Sequence, residues 1–443
     1  MPEIASFRGY LYDPKKAPAE KVVGPPYDVI DGKMREELAK RDPHNFVHLA
    51  LPKGEGDAKY AGAGKRMKEW IDKGVLQRDV RPALYRYHQT FEIAELDGRQ
   101  MTRKGFIAAV RLHDFSEGII LPHERTLKGP KVDRLKLMEA TNCHSSQIFG
   151  MYSDQANVVE KAFKNVERTE PDIDVVTDDK TRHRLWRVPD NEVIGDVKRF
   201  MAKTKVYIAD GHHRYETMLA LRDKWRSKEA DGFLPFKSTG EFATMFLCNM
   251  TNEGMVVFPT HRLVHGVKEF NLDDMLSKAD AYFAITKIDG AAKDMQKLRS
   301  LVAEAGVKTP SFAVVAPKRE DAWLLSYRKG VNLAELGVVG SGTLVHLDIT
   351  LLHELILDKT LGIDRKAQEA KTNIKYIKDT TSALTRTAAG EGQVCFIMNP
   401  TRLDQVRHIA DAGEFMPQKS TYFFPKIATG LVYNVIDPDE HVP

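Results

Sequence analysis

The stretch that decides how this chain is interpreted runs Val206-Tyr207-Ile208-Ala209-Asp210-Gly211-His212-His213-Arg214-Tyr215-Glu216-Thr217. It opens with an apolar run typical of a buried strand, and a helical pattern extends from Tyr215 to Trp225. A strand, a glycine turn and a helix N-terminus expose backbone N–H groups that have no intrahelical partner, and the helix dipole favours an anion there. The stretch therefore predicts an anion-binding turn at the start of a helix.

Three interpretations of this turn remain open from its residues alone. As a phosphate site, Gly211 lets the backbone approach the anion, Arg214 supplies forked donors, and the histidines donate or shuttle protons. As a metal site, Asp210, His212 and His213 offer ligands, although adjacent histidines rarely converge on one ion and HExxH spacing is absent. As a structural feature, Asp210 caps the helix and the other side chains are solvated. Neither a P-loop motif nor a GxGxxG motif after a strand is present elsewhere.

Composition bounds the class of protein. A chain of 443 residues is too long for one hydrophobic core and should divide into two or three domains. With 42% hydrophobic and 29% charged residues the composition is that of a globular protein, and the net charge of +4 does not call for a nucleic-acid partner. No apolar run reaches membrane-spanning length and no signal peptide is recognisable, so we expect a cytoplasmic protein without a membrane partner.

Three cysteines, Cys143, Cys248 and Cys395, are spaced too widely for CxxC zinc or redox motifs. They fit a reducing compartment, and we expect them to be small buried thiols. No sequence feature indicates an oligomeric state.

Strand and helix patterns alternate along the chain, which predicts an α/β fold with α+β as the alternative. A hairpin is predicted from Leu84 to Phe91, with Asp97-Gly98 as its turn and a return strand from Thr102 to Phe115. We predict a core at residues 1–265 that contains this hairpin. A smaller αβ insertion at residues 266–340 and a C-terminal segment at residues 341–443 that packs back on the core complete the predicted organisation.

In that last segment, Leu344 to Leu361 predicts a single, strongly apolar helix. His346 and His353 lie seven residues apart and therefore share one face of such a helix. We interpret both as core histidines rather than as ligands.

Other loops carry residue types that can complete a phosphate site. Glu124 beside His123 can act as a general base toward a hydroxyl, with a surface salt-bridge loop as the equal alternative. Pro259-Thr260-His261-Arg262 is another His-Arg pair after a strand, for which a cap or surface role is favoured. Lys419-Ser420-Thr421 with Lys426 places two ammonium groups around an aromatic strand, where phosphate binding and an ordinary amphipathic strand are equal alternatives.

Together these motifs resemble a widespread prokaryotic family known as domain of unknown function 1015. The matching segments are Pro25-Pro26-Tyr27-Asp28-Val29-Ile30, Pro122-His123-Glu124-Arg125-Thr126, Asp133-Arg134-Leu135, Ala209-Asp210-Gly211-His212-His213-Arg214-Tyr215, Pro259-Thr260-His261-Arg262, Leu347-Asp348 and Met416-Pro417-Gln418-Lys419-Ser420-Thr421-Tyr422-Phe423-Phe424-Pro425-Lys426. The resemblance runs over nearly the whole chain. It implies a family without implying a reaction.

The Asp-Gly-His-His-Arg turn also resembles the nucleotide-phosphate turn of the ParB/sulfiredoxin superfamily. That superfamily includes partition proteins that use CTP, ATP-dependent sulfiredoxins and kinases of free serine. The residues matched to its phosphate turn are Gly211, His212, His213 and Arg214. The resemblance implies a ParB/sulfiredoxin-like nucleotide-binding core with an acidic base, either Glu124 or Asp28. Because His212 stands where a sulfiredoxin has its catalytic cysteine, sulfinic-acid reduction is disfavoured.

These resemblances imply a nucleotide-dependent phosphotransferase that acts on a small hydroxylated metabolite, with free serine as the leading acceptor and ATP or ADP, or CTP, with Mg²⁺ as cofactors. A non-catalytic nucleotide-binding regulatory protein and a metal-dependent hydrolase are the alternatives. The candidate catalytic residues are Glu124 as general base, Asp210 orienting a histidine or Mg²⁺, His213, His123 and Asp28. The candidate nucleotide- and phosphate-binding residues are Gly211, His212, Arg214, Lys419, Ser420, Lys426 and Arg262.

Overall fold

The computed structural model describes residues 1–93, 98–126 and 128–443, with backbone alone at residues 128–130. The described chain is mixed α/β, as the alternating patterns predict. It divides into two compact units. The first unit comprises Met1–Pro122, Thr126–Val256 and Pro425–Pro443, and the second comprises His123–Arg125 and Val257–Phe424.

These units differ from the predicted domain boundaries. The first unit ends at Val256 instead of residue 265, and residues 266–340 share the second unit with most of the C-terminal segment. Only Pro425–Pro443 of that segment belongs to the first unit. The difference arises because strand His261–Val264 pairs with two strands from the C-terminal segment, a long-range contact that local sequence patterns do not reveal.

The first unit combines one large sheet with helices. Its strands are β1 (Ile4–Ala5), β2 (Tyr10–Tyr12), β3 (Leu76–Arg78), β4 (Leu84–Ile93), β5 (Arg99–Arg111), β6 (Ile120–Leu121), β7 (Cys143–His144), β8 (Ile148–Tyr152), β9 (Ile173–Val176), β10 (Arg182–Val188), β11 (Val206–Asp210), β12 (Phe242–Asn249) and β21 (Asn434–Val435). Its α-helices are α1 (Ala19–Val22), α2 (Gly32–Arg41), α3 (Val47–Ala50), α4 (Ala58–Asp72), α5 (Lys128–Thr141), α6 (Val158–Phe163), α7 (Asn191–Met201) and α8 (His212–Arg226). Short 3₁₀ turns lie at Tyr27–Val29, Phe115–Glu117, Val166–Arg168 and Thr239–Glu241.

The large sheet has the strand order β6-β11-β8-β12-β5-β4-β10-β9, and β1 pairs with β5. The pairs β6–β11 and β8–β12 are parallel, whereas β4–β5 and β5–β12 are antiparallel. The predicted hairpin is confirmed as β4 and β5, although Asp97 of its predicted turn lies outside the described residues. Ile208 of β11 and Tyr215 of α8 belong to the same buried hydrophobic cluster, so packing holds the strand and the helix on either side of the Gly211 turn.

The second unit contains its own sheet. Its strands are β13 (Val256–Phe258, whose first residue ends the first unit), β14 (His261–Val264), β15 (Phe283–Ile288), β16 (Ser311–Val315), β17 (Ala322–Tyr327), β18 (Ile374–Ile377), β19 (Val394–Ile397) and β20 (Tyr422–Phe424). Its helices are α9 (Leu272–Ala279), α10 (Met295–Lys308), α11 (Gly342–Val345), α12 (Asp348–Leu351), a π-helical continuation of α12 (Leu352–Thr360), α13 (Arg365–Ala370), α14 (Thr380–Ala388) and α15 (Leu403–Asp411). The sheet order is β15-β17-β16-β19-β14-β18, and β13 pairs with β20.

The prediction of a single helix from Leu344 to Leu361 is wrong. The chain leaves the helical conformation after Val345 and re-enters it at Asp348, and from Leu352 the helix is π-helical. Consequently the two histidines do not share a face. His353 is buried and its Nδ1 lies 2.8 Å from Gln368 Oε1, whereas His346 is exposed, so only one of them is a core histidine.

Cys143, Cys248 and Cys395 are buried and free, which confirms their interpretation as small buried thiols. Burial raises the pKa of the Cys248 thiol to about 12, so that thiol stays protonated at neutral pH. Across the described residues, no helix is both long and apolar enough to cross a membrane.

Candidate functional site

The turn between β11 and α8 has a geometry that requires glycine. Gly211 adopts φ +95°, in the left-handed region, and α8 begins at the next residue, His212, three residues before the predicted start. A Cβ atom added to Gly211 would lie 2.9 Å from Arg214 Nε. Both the backbone conformation and the available space therefore exclude a larger residue.

Asp210, the last residue of β11, accepts hydrogen bonds from two cations. Its Oδ2 lies 2.5 Å from Arg214 Nη2, and its Oδ1 accepts a hydrogen bond from Lys426 Nζ. Burial by itself would raise the pKa of Asp210, but the charges of Lys426 and Arg214 outweigh burial and hold the pKa well below its ordinary value. The helix-capping interpretation of Asp210 is wrong, because Gly211 occupies the N-cap position and no side-chain cap bond is present.

The sequence suggested that Arg214 offers its guanidinium to a ligand, but the side chain is hydrogen-bonded within the protein. The side chain is buried, and Nη1 donates to the carbonyl of Gln147 and lies 3.2 Å from Ser146 Oγ. Since Nη2 donates to Asp210, both terminal nitrogens of the guanidinium are hydrogen-bonded to the protein. The side chain therefore does not present a free pair of donors to solvent. Arg214 thus positions the turn and contributes positive charge to it.

Asp28 interacts electrostatically with Arg214 within the first unit. It lies on the 3₁₀ turn Tyr27–Val29 after two prolines and is exposed. Burial would lower the pKa of Arg214, but the charges of Asp210 and Asp28 raise it. The ring of Tyr27 faces Arg134, whose guanidinium carbon is 4.5 Å from the ring centroid. Tyr27, Arg134 and Arg214 border a cavity of about 40 Å³, which is room for about one water molecule.

The two histidines of the turn differ in exposure. His212 is buried, whereas His213 is half-buried, and the positive charge of His212 when protonated contributes to the low pKa of Asp210. Within the described ranges, no group of three or more His, Cys, Asp or Glu side chains is arranged to hold a metal ion. The metal-site interpretation of Asp210 with the two histidines therefore has no geometric support.

Glu124 and His123 contact the loop after Met416 inside the second unit. The backbone N–H of Met416 donates to the carbonyl of His123, at 2.9 Å. Glu124 Oε1 accepts from the backbone N–H of Ser420 at 3.2 Å, and Thr421 Oγ1 lies 3.5 Å from the same oxygen. The Glu124 carboxylate is therefore held by the tail motif that the sequence associates with phosphate binding.

Arg262 belongs to the same group in the second unit. Its side chain is 1% exposed, and its Nη2 donates to the carbonyl of Lys419 at 2.9 Å. Burial lowers the pKa of Arg262 to about 10, while the charge of Glu124 acts in the opposite direction. The side chain of Lys419 itself is exposed. The predicted surface or cap role of Arg262 is wrong, because the guanidinium is buried.

The predicted site residues thus fall into two groups. The group in the first unit, which we call the turn cluster, is Asp28, Asp210, Gly211, His212, His213, Arg214 and Lys426. The group in the second unit is His123, Glu124, Arg262, Lys419 and Ser420. Lys426 belongs to the first group and Lys419 to the second, and the phosphate contacts expected of both lysines stay a prediction.

Two residues that sequence reasoning missed form hydrogen bonds to the backbone at Pro425 and Lys426, next to the turn cluster. Gln89 and Arg103 are opposite each other on the β4–β5 ladder, and both are buried. Gln89 Nε2 donates to the carbonyl of Lys426 at 2.8 Å, and Arg103 Nη2 donates to the carbonyl of Pro425. The available signal was a pair of long polar side chains at inward-facing strand positions, which are expensive to bury without partners.

A family model described as "Protein of unknown function (DUF1015)" matches residues 4–350. The chain belongs to the DUF1015 family. This confirms the resemblance inferred from the motifs, and those motifs now have positions in the fold: Asp28 and the Asp-Gly-His-His-Arg turn of DUF1015 lie in the turn cluster. None of the curated proteins matches this DUF1015 chain significantly.

Several solved structures are distantly similar to the DUF1015 chain. A conserved hypothetical protein from Pyrococcus furiosus is 14% identical, with a TM-score of 0.34, over 71% of this chain and 93% of that one. A free serine kinase in complex with AMP is 13% identical, with a TM-score of 0.35, over 71% and 89%. SbnI from Staphylococcus aureus, truncated at its C-terminus, is 10% identical, with a TM-score of 0.33, over 73% and 85%. Values this low assign no activity to the present chain.

Proposed function

We propose that this DUF1015 protein binds the phosphates of a nucleotide at the turn cluster and transfers a phosphoryl group to the hydroxyl of a small metabolite, with free serine as the first acceptor to test. One observation carries the proposal. The N-terminus of α8 lies beside Lys426, Asp210 and Arg214, two cations and one carboxylate of which Arg214 is buried and the other two are half-buried. The sequence resemblance of this turn to the phosphate turn of the ParB/sulfiredoxin superfamily supports the same ligand.

The electrostatics of the cluster favour a polyanion. The pKa of Asp210 is lowered and that of Arg214 is raised, so both groups stay charged at neutral pH. With Lys426 they form a trio of two basic side chains and one carboxylate, and the exposed carboxylate of Asp28 adds a second acidic group to the turn cluster. Cations that are largely shielded from solvent favour an anionic ligand, and the dipole of α8 adds further positive potential at its N-terminus. A phosphate group compensates both, which is why helix N-termini with nearby cations are common phosphate sites.

The proposed reaction needs positioning and charge neutralisation more than covalent chemistry. A base takes the proton of the acceptor hydroxyl, the oxygen attacks the terminal phosphorus, and the bond from that phosphorus to the bridging oxygen of the nucleotide breaks. Asp28 is our first choice for the base, because it is exposed and its charge acts on Arg214 within the same unit. Glu124, the other base that the sequence resemblance implies, is the second choice to test.

A protein-held Mg²⁺ has no support among the described residues. Asp210 is the acidic group of the turn itself, and both of its oxygens accept hydrogen bonds from cations. In phosphoryl-transfer enzymes Mg²⁺ is often held mainly by the substrate phosphates. We therefore propose that His213, Lys426 and the backbone of α8 act on the phosphates directly, and we assign no protein ligand to a metal.

Lys426→Gln tests nucleotide binding at the turn cluster. It replaces a cation by a shorter, neutral polar side chain, and we expect the Kd for ATP or ADP to rise by about tenfold or more, since a charge-assisted hydrogen bond contributes about 1.5–3 kcal/mol. The matched control is Lys228→Gln, an exposed lysine just beyond the other end of α8. Isothermal titration calorimetry measures both variants. Equal affinities in Lys426→Gln, Lys228→Gln and the unchanged chain would show that the turn is not the phosphate site.

Turnover separates the kinase from a non-catalytic nucleotide-binding protein. With serine and ATP or ADP, phosphoserine formation is expected, and Asp28→Asn should lower kcat strongly with little change in nucleotide Kd. If Glu124→Gln has that effect and Asp28→Asn does not, Glu124 is the base. Nucleotide binding without phosphoryl transfer to serine or other small hydroxylated acceptors would reject the kinase and leave the regulatory alternative.

A further inference from the structure

The second unit contains a cavity of about 510 Å³ that the proposed function does not use. It lies at the edge of the sheet where β19 ends. The two neighbours of β19, β14 and β16, run antiparallel to it and therefore begin at the same edge. The C-terminal end of α10 and the first turns of α12 and α15 complete its wall. Its volume falls within the roughly 300–1,000 Å³ typical of small-molecule sites.

Three segments that carry the family resemblance meet in this cavity although they are far apart in sequence. Thr260 and Arg262 come from the first, Leu347 and Asp348 from the second, and Ser420 from the tail motif. A hydrophobic core would bring apolar residues from distant segments together. Here the residues brought together are mostly polar, so formation of a hydrophobic core does not explain why they meet.

Arg262 is the most informative of these residues. Its guanidinium is buried, and its Nη atoms donate to the carbonyl oxygens of Thr260 and Lys419. In the described part of the chain, Arg262 Nε has no hydrogen-bond partner. Besides these carbonyls, the ring of Tyr376 lies 5.3 Å from the guanidinium carbon and the charge of Glu124 acts on it, but Nε has no direct anionic partner, so an anion in the adjacent cavity would be favoured.

The remaining charged residues of the lining are of two kinds, basic side chains and acidic side chains. Lys308, at the end of α10, adds a second cation, and Arg402 adds a third that is paired with Asp404 at 3.1 Å. Asp348 is a half-buried acid of the lining, and its Oδ2 accepts a hydrogen bond from Asn399 at 3.0 Å. The lining therefore offers cations for an oxyanion and one carboxyl group for a hydrogen-bond donor.

We propose that this cavity binds a small metabolite that places an oxyanion group, phosphate or carboxylate, against Arg262, Lys308 and Arg402 and a hydroxyl or ammonium group against Asp348. The site is separate from the turn cluster and does not depend on the proposed kinase activity. One end of the ligand is an oxyanion and the other is a hydrogen-bond donor, which excludes a purely apolar compound.

Calorimetric titrations of the full-length chain with inorganic phosphate and with malonate test the proposal. All titrations use the Lys426→Gln background, so that anion binding at the turn cluster contributes little. Because Lys308 and Arg402 are exposed, Lys308→Gln and Arg402→Gln should fold, and we expect each to raise the Kd of at least one probe by about tenfold. The probe that binds more tightly identifies the oxyanion as phosphate or carboxylate.

Lys297→Gln is the matched control, because Lys297 is an exposed lysine of the same helix that does not line the cavity. It should leave both affinities unchanged. The proposal is overturned if neither probe binds, or if both cavity variants bind both probes as Lys297→Gln does. Its failure is distinguishable from failure of the proposed function, which is measured with nucleotide and with Lys426 as the variable.

Discussion

At the scale of single residues, three ionisable side chains that are shielded from solvent have three different kinds of partner. Asp210 is ionised because two cations donate to it. Arg262 is charged and bonded to backbone carbonyls, and Tyr376 and the longer-range charge of Glu124 stabilise its charge. Asp348 has Asn399 as a neutral partner, and burial raises the pKa of its carboxyl group to about 6. The partner of each side chain sets the pH range in which that side chain is charged.

Asp348 gives a prediction about stability and pH. Its pKa is raised from 3.8 to about 6, so the folded state holds this proton more tightly than the unfolded state does. The resulting stability is present below about pH 4 and is lost as the pH rises through about 6. We expect Asp348→Asn to become more stable relative to the unchanged chain by about 2 kcal/mol between pH 4 and pH 7.5.

Urea denaturation of both chains at the two pH values measures this difference. Subtracting one chain from the other cancels the titration of all other groups. If the difference in unfolding free energy is the same at pH 4 and pH 7.5, the carboxyl group of Asp348 has an ordinary pKa and is not buried as described.

At the scale of secondary-structure elements, the start of α8 depends on contacts beyond its own sequence. The Tyr215 hydroxyl accepts from the backbone N–H of His113 at 2.9 Å and donates to the carbonyl of the same residue at 2.8 Å. The ring of Tyr215 is buried and stacks on Phe115 with 5.4 Å between centroids. The first turn of α8, and with it the turn cluster, is thereby attached to the segment after β5.

Tyr215→Phe tests that attachment. It keeps the ring but leaves both backbone groups of His113 without their partner, so we expect a loss of about 1–3 kcal/mol in unfolding free energy. Tyr282→Phe is the matched control, because the Tyr282 hydroxyl has no hydrogen bond to other described residues. Thermal and urea denaturation compare the two variants. A loss of the same size in both would mean that the His113 bonds contribute nothing specific.

Elements also show where sequence patterns succeed. The β4–β5 hairpin is confirmed close to its predicted position, because the alternation of apolar and polar residues is a local property of the chain. The apolar run from Leu344 to Leu361 was mistaken for one helix because apolar content does not report the backbone break at His346 and Leu347. That break exposes His346 beside the cavity of the second unit, a position that the helical pattern assigned to the core.

At the scale of the whole molecule, the chain leaves the first unit after Val256 and returns to it at Pro425. The strands at the two ends of this segment, β13 and β20, pair with each other, so its two ends are neighbours. Each large hydrophobic cluster of the described residues lies within a single unit. A unit with its own core can fold alone.

We therefore expect a chain in which a short glycine-serine linker replaces residues 257–424 to fold as the first unit. Its circular dichroism should retain the helix and strand signals, and urea should unfold it in one cooperative transition. The comparison is the full-length chain under the same conditions. A molten or unfolded product would mean that the first unit depends on the second for its stability.

The sequence by itself determined the family, the mixed α/β class, and the strand–glycine–helix turn with its anion preference. All of these depend on residues that are neighbours in the chain. Only the tertiary structure decided which distant residues complete each site: Lys426 reaches Asp210 across 216 positions, and Arg262 reaches Lys419 across 157. It also decided that Arg214 is held internally and that Glu124 belongs to the second unit. The physical reason is that burial and long-range hydrogen bonding, which set the charge state of each group, are properties of the packed chain and not of its local pattern.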